Sequence, residues 1–155
     1  MAPKTNTNHL RNFGEGGLNS SKSLEPTSQA HKILTSNRGG YIKALRELKP
    51  IKVMSYTYPS KLIEMYPEAE IKLILNSQFA KGKTFPKTWK VRSNSKIHAK
   101  IGIGKDNMII GSWNFTDNST FNMHEAAIII DKQHIIKEYT LYFDSIWERS
   151  SIIYD

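Results

Sequence analysis

The chain predicts a mixed α/β domain, a sheet flanked by helices, on three observations. Two short β-rich runs, "IKVMSYTY" and "EIKLILNS", bracket a proline-bounded "PSKLIEMYP", which is the pattern of a β-α-β unit and favours a parallel pair. Apolar residues then alternate through "KIHAKIGIGKDNMIIGSWNFT", Lys96 to Thr116, with turn residues at its centre, as in a hairpin. The closing "KQHIIKEYTLYFDSIWERS" repeats Ile135, Ile136, Tyr139, Tyr142, Phe143, Ile146 and Trp147 at helical spacing, so these form a core face. A length of 155 residues with 39% hydrophobic content suits one compact domain.

In chain order, residues 1–38 are rich in Asn, Ser, Thr and Gly with few aliphatics, and are expected to be flexible or loosely docked. Residues 39–155 are expected to form the folded domain. "SNRGGYIKALRELKP" opens it as a helix capped near Ser36 or Asn37, with Ile42, Leu45 and Leu48 on one face and Pro50 at its end. The β-α-β unit follows. A lysine-rich connection, "QFAKGKTFPKTWKVRSNS", comes next, with a short strand at Trp89 to Arg92, and "HEAAIII" supplies a strand before the final helix. No internal repeat is visible.

Absence of cysteine excludes disulfide frameworks, thiolate metal sites and cysteine nucleophiles. The start "MAPKTNTNHLRNF" has no apolar signal region and the longest aliphatic run, Ala126 to Ile130, is too short for a bilayer, so a cytoplasmic location away from membranes is expected. The net charge of +8 is unevenly spread. Residues 71–105 hold nine Lys or Arg and no Asp or Glu, whereas residues 106–155 hold three basic and eight acidic residues. A nucleic acid is the natural partner for one face; the alternative is that the lysines only solubilise a loop.

On a strand, Ile97, Ala99, Ile101 and Ile103 would share the core side and His98, Lys100, Gly102 and Gly104 the other, the glycines leaving the floor bare for a bulky ligand. Such a pair suits phosphate. Lysine is a compact cation, and a neutral imidazole can attack phosphorus or move a proton near neutral pH. Ser112 and Asn114, two apart after the next strand, would add a hydroxyl and an amide. Glu125 would hold the other imidazole nitrogen, unless it is a solvent-facing residue opening a strand. Trp113 and Phe115 either pack beneath the site or stack on a base, and packing is favoured. "GIGK" lacks the spacing of a nucleotide-binding loop, and no convergent carboxylates or histidines suggest a metal.

His98-x-Lys100, Gly111-Ser112-x-Asn114, then Asn122 and Glu125 before an aliphatic strand resemble the HKD motif of the phospholipase D superfamily. The likeness runs over roughly residues 40–150, takes in the β-α-β unit and the Trp-containing last helix, and implies that family's mixed sheet with one motif per chain. One departure stands out. Position 105, seven after His98, is lysine where the family has aspartate, Asp106 comes one later, and Gly111 and Ser112 come one earlier, so the hairpin is a residue short and Asp106 falls in the turn.

Carried over, the resemblance makes His98 the nucleophile that forms a covalent phosphohistidine, with Lys100, Ser112 and Asn114 on the phosphate oxygens and Glu125 orienting, and with no metal or cofactor. The small single-motif endonucleases of the superfamily are homodimers. A second His98 across a two-fold axis would then supply the acid that His9, His31, His124 and His134 have no setting to provide. Lys83, Lys87, Lys90, Arg92 and Lys96 are the candidate substrate contacts. The expected activity is hydrolysis of DNA phosphodiesters, with RNA possible. A phospholipid phosphodiesterase, or a nucleic-acid-binding module disabled by its shortened hairpin, are the alternatives.

Overall fold

Three short runs that each open on a lysine, "KVMS", "KLIL" and "KVRS", lie side by side and parallel as β2 (Lys52–Ser55), β3 (Lys72–Leu75) and β4 (Lys90–Ser93). Helix α2 (Ser60–Met65) crosses between the first two, so the expected β-α-β unit is present. These elements come from a computed structural model that describes residues 31–36 and 39–154. Antiparallel strands extend the sheet on both sides: β5 (Ile101–Ile103), β6 (Met108–Gly111), β7 (Ala126–Ile130) and β1 (His31–Thr35) beyond β2, and β8 (Ser151–Tyr154) beyond β4. The order is β1-β7-β6-β5-β2-β3-β4-β8, an eight-stranded mixed sheet.

Period-two alternation gives the sheet two apolar faces, and each is covered. Val53, Leu73, Val91 and Ile109 meet α1 (Tyr41–Leu48), α2, Trp89, Trp113 and Phe115 in one cluster. Met54, Ile74, Ile101, Ile103 and Met108 meet Ile136, Phe143 and Trp147 of α4 (Gln133–Trp147) in the other. The aromatics of the closing segment are largely core, as expected, but Tyr142 is exposed. A short α3 (Asp117–Phe121), capped by the Thr116 hydroxyl, links β6 to β7.

Four sequence expectations change. Residues 1–30 lie outside the described residues, but residues 31–35, assigned to the same N-terminal segment, form edge strand β1 because Ile33 and its neighbours pair with β7. Helix α1 starts after Gly40, whose φ of 86° suits glycine, and no side chain caps it; Asn37 is outside the described residues and Ser36 has other partners. Only Ile101–Ile103 of the Lys96–Gly104 stretch is regular strand. Finally, Gly102 does not clear a floor for a ligand. A Cβ there would meet Leu48 and Ile109 at 3.1 Å, so the glycine lets α1 pack closely on the sheet.

Candidate active site

Strand direction decides which side chains can meet. β1, β2, β3, β4 and β6 end at the sheet edge where β5 and β7 begin. Residues just after the first group and just before the second therefore gather there: Ser36, Tyr56, Asn76, Asn94, Ser112, Lys100 and Glu125. The carboxyl ends of parallel strands are the usual place for a crevice in open α/β sheets.

His98 is exposed, with its ring against Tyr56 at 4.7 Å between centroids. Lys100 Nζ donates to the His98 carbonyl at 3.0 Å and lies 5.4 Å over the same Tyr56 ring. Burial lowers the Lys100 pKa from the ordinary 10.5, and the charge of Glu125 pulls it back up. That coupling places a carboxylate within electrostatic reach of the cation. The lead-in to His98 is held from β3: Asn76 Nδ2, buried, donates to the Ile97 carbonyl at 2.8 Å and to the Ser95 carbonyl at 3.3 Å.

Ser112 stays exposed while its backbone N–H donates to the Ala126 carbonyl at 2.9 Å and its hydroxyl accepts from Ala126 N–H at 3.0 Å. Gly111 beside it has no room for a side chain, since a Cβ would strike the Ala126 carbonyl and approach Ala127 Cα to 2.6 Å. Here glycine is a requirement of strand approach. Asn114 and Glu125 are joined through Ser119: Asn114 N–H donates to its hydroxyl at 3.1 Å, and that hydroxyl donates to Glu125 Oε2 at 2.8 Å. Asn114 Oδ1 is buried and has no hydrogen-bond partner among the described residues. That oxygen can only accept, so it is not itself a contact for a phosphate oxygen. Ser36 completes the frame, because Glu125 N–H donates to its hydroxyl at 2.6 Å and its own N–H donates to the Glu125 carbonyl at 3.2 Å.

His98, Lys100, Ser112, Asn114 and Glu125 thus share one sheet edge. Among the described residues, however, the one side-chain hydrogen bond of Glu125 is to Ser119, not to His98. Asp106 is exposed in the Gly104–Asn107 turn, away from these groups. Trp113 and Phe115 are buried and pack on each other, as favoured. Sequence reasoning missed Tyr56, Asn76, Ser119 and Ser36. Ser119 carried a readable signal, three residues after the N-capping Thr116; the other three depend on which strands are neighbours.

The candidate substrate contacts are divided. Lys96 is exposed two residues before His98. Lys83, in the connection between β3 and β4, lies 5.1 Å from the ring centroid of Tyr58, which follows β2 at the site end of the sheet. Lys87 is exposed on the connection running away. Lys90 opens β4 in register with Lys72, at the far end of the sheet. Arg92 is committed to the fold: its Nη1 donates to the Trp147 carbonyl at 2.7 Å and its guanidinium carbon stands 4.4 Å over the Trp147 ring. It closes the C-terminus of α4 instead of facing a ligand. Among the described residues no three His, Cys, Asp or Glu side chains form a metal-holding group, and no helix is long and apolar enough to cross a membrane.

Residues 29–147 match a family model described as "Cardiolipin synthase, PLD-like domain". The fold is similar to Nuc from Salmonella typhimurium, a phospholipase D family member, with a TM-score of 0.66 at 14% identity over 81% of this chain and 98% of that one. NucT from Helicobacter pylori gives 0.62 at 16% identity, over 79% and 98%. TrmBL2, an archaeal chromatin protein with a novel mode of DNA binding, gives 0.58 at 12% identity, over 94% and 64%. No curated protein matches the chain.

Proposed function

Since this chain belongs to the phospholipase D superfamily, we propose that it is a metal-independent endonuclease that hydrolyses DNA phosphodiesters, with RNA as a possible second substrate. The observation that supports this most is that the exposed His98 imidazole and the Lys100 ammonium both lie against the Tyr56 ring, at the edge that also holds Ser112, Asn114 and Glu125. In this reading the neutral His98 attacks phosphorus, the phosphorus–oxygen bond to the leaving strand breaks, and an imidazolium gives that oxygen a proton. Water then attacks the phosphohistidine, losing its proton to the same second imidazole, and frees His98. Lys100, Ser112 and the Asn114 amide steady the charge on the non-bridging oxygens.

The second imidazole is His98 of a second copy, with the site on a two-fold axis. Glu125 acts electrostatically and through position, holding its charge near the cation and fixing, through Ser119, the backbone that carries Asn114. Nucleic acid is favoured over lipid by the carboxylate-free basic segment with Lys83 and Lys96 on the site side. The test is supercoiled plasmid incubated in excess EDTA with the wild type and with His98→Ala. Cleavage by the wild type alone is expected. Loss of wild-type cleavage in EDTA, equal cleavage by both proteins, or turnover confined to phosphatidyl substrates would each overturn the reading.

A further inference from the structure

A groove of about 760 Å³ opens beside His98, between the carboxyl ends of β3 and β4 and the last turns of α4. Its lining includes His98, Lys96, Arg149, Tyr142, Ser77 and Ser95, and no Asp or Glu. That volume is in the range, roughly 300–1,000 Å³, that encloses small-molecule-sized groups. It suits one or two nucleotides and is too small for a duplex.

Tyr142 is 49% exposed although its neighbour Phe143 is fully buried, so its ring is not required by the core. Arg149 is exposed, and its Nε donates to the Ser145 carbonyl at 3.1 Å, which holds the guanidinium at the end of the helix. The walls are tied together: Lys96 N–H donates to Asn94 Oδ1 at 3.0 Å, and Asn94 Nδ2 donates to the Ser150 hydroxyl at 3.2 Å across to the segment after α4. An exposed aromatic ring and two cations lining one groove that also reaches His98 is the combination by which proteins hold unpaired nucleic-acid strands.

We propose that this groove binds a single-stranded stretch of polynucleotide leading away from the phosphate at His98, with one base stacked on Tyr142 and the adjoining phosphates on Lys96 and Arg149. The assignment rests on the phosphodiesterase reading of His98 and adds the substrate's form to it. A paired base has no open face to offer Tyr142, so the groove selects ends, gaps or unpaired segments.

The test is fluorescence-anisotropy binding of a short single-stranded oligonucleotide and of its duplex to the full chain. Tyr142→Ala raises the single-strand Kd about ten-fold, Tyr142→Phe retains the wild-type value, and the duplex Kd moves by less than about two-fold, because the duplex does not reach the ring. Arg149→Gln lowers the slope of log Kd against log salt by about 0.7, one phosphate contact. An unchanged single-strand Kd in Tyr142→Ala, equal losses for both forms, loss in Tyr142→Phe, or an effect confined to phosphatidylglycerol vesicles would overturn the proposal. Wild-type turnover of bis(4-nitrophenyl) phosphate is measured in parallel. Its absence alongside the expected binding pattern would refute the catalytic reading and leave the groove a binding site.

Discussion

Ser119→Ala tests the frame of the site at its most buried point. Ser119 is 3% exposed, and its hydroxyl accepts from Asn114 N–H at 3.1 Å and donates to Glu125 Oε2 at 2.8 Å. The alanine removes a bond to a charged acceptor, worth about 1.5–3 kcal/mol, and strands a part-buried N–H, which costs about 1 kcal/mol or more. Glu125 is half-buried, and water recovers part of the first amount. The expected loss is therefore about 2–3 kcal/mol, or a fall in Tm of about 4–12 °C for a domain of this size. Circular-dichroism melts of wild type, Ser119→Ala, Glu125→Gln and the double variant measure it. The two sites touch, so the double variant should lose about 1 kcal/mol less than the sum of the singles. A fall in Tm under about 2 °C, or full additivity, would show that the Ser119 bridge does not hold the carboxylate.

Gly111→Ala forces a methyl into the Ala126 carbonyl and should cost about 1–3 kcal/mol by overpacking while abolishing cleavage, read by melting and plasmid assay; wild-type behaviour would contradict the close approach. Because burial lowers the Lys100 pKa, its proton is lost below pH 10.5, so the alkaline limb of kcat/KM should fall before that point; for the same reason stability should rise with pH between the folded and unfolded values. A profile flat through pH 10.5 would refute the cation's role. Lys83→Gln with Lys96→Gln should lower the salt slope of DNA binding by about 1.5, whereas Lys90→Gln, at the far sheet end, should leave it alone. A mixed dimer of wild-type and His98→Ala chains should be nearly inactive if the two histidines share one phosphate; half of wild-type activity would mean that each chain holds a complete site.

What could be read from the sequence was local. The β-α-β unit, the hairpin and the final helix are written in periodicity and in turn residues, and His98, Lys100, Ser112 and Asn114 stand in one contiguous motif. Sheet neighbours are not written that way. Tyr56 reaches His98 because β2 lies beside β5, and Asn76 braces Ile97 from the end of β3, both consequences of strand order. The glycines misled because a missing side chain reads the same whether it makes room for a ligand or for Leu48. Arg92 misled for a related reason: a cation in a basic run looks free until the Trp147 carbonyl is found on it.

The same strand directions bear on where a second imidazole could come from. His31 pairs with Ile130, at the end of the sheet opposite the site, and His134 follows β7 at that same far end. His124 does lie at the site edge, but it is exposed and precedes Glu125, whose side chain turns inward to Ser119. If the proposed mechanism holds, none of His31, His124 and His134 is placed to give the leaving oxygen a proton opposite His98, and this is the reason for proposing a second copy of His98. The exposure of His98 is compatible with the proposed shared site, in which the ring would have to be reachable from a second copy.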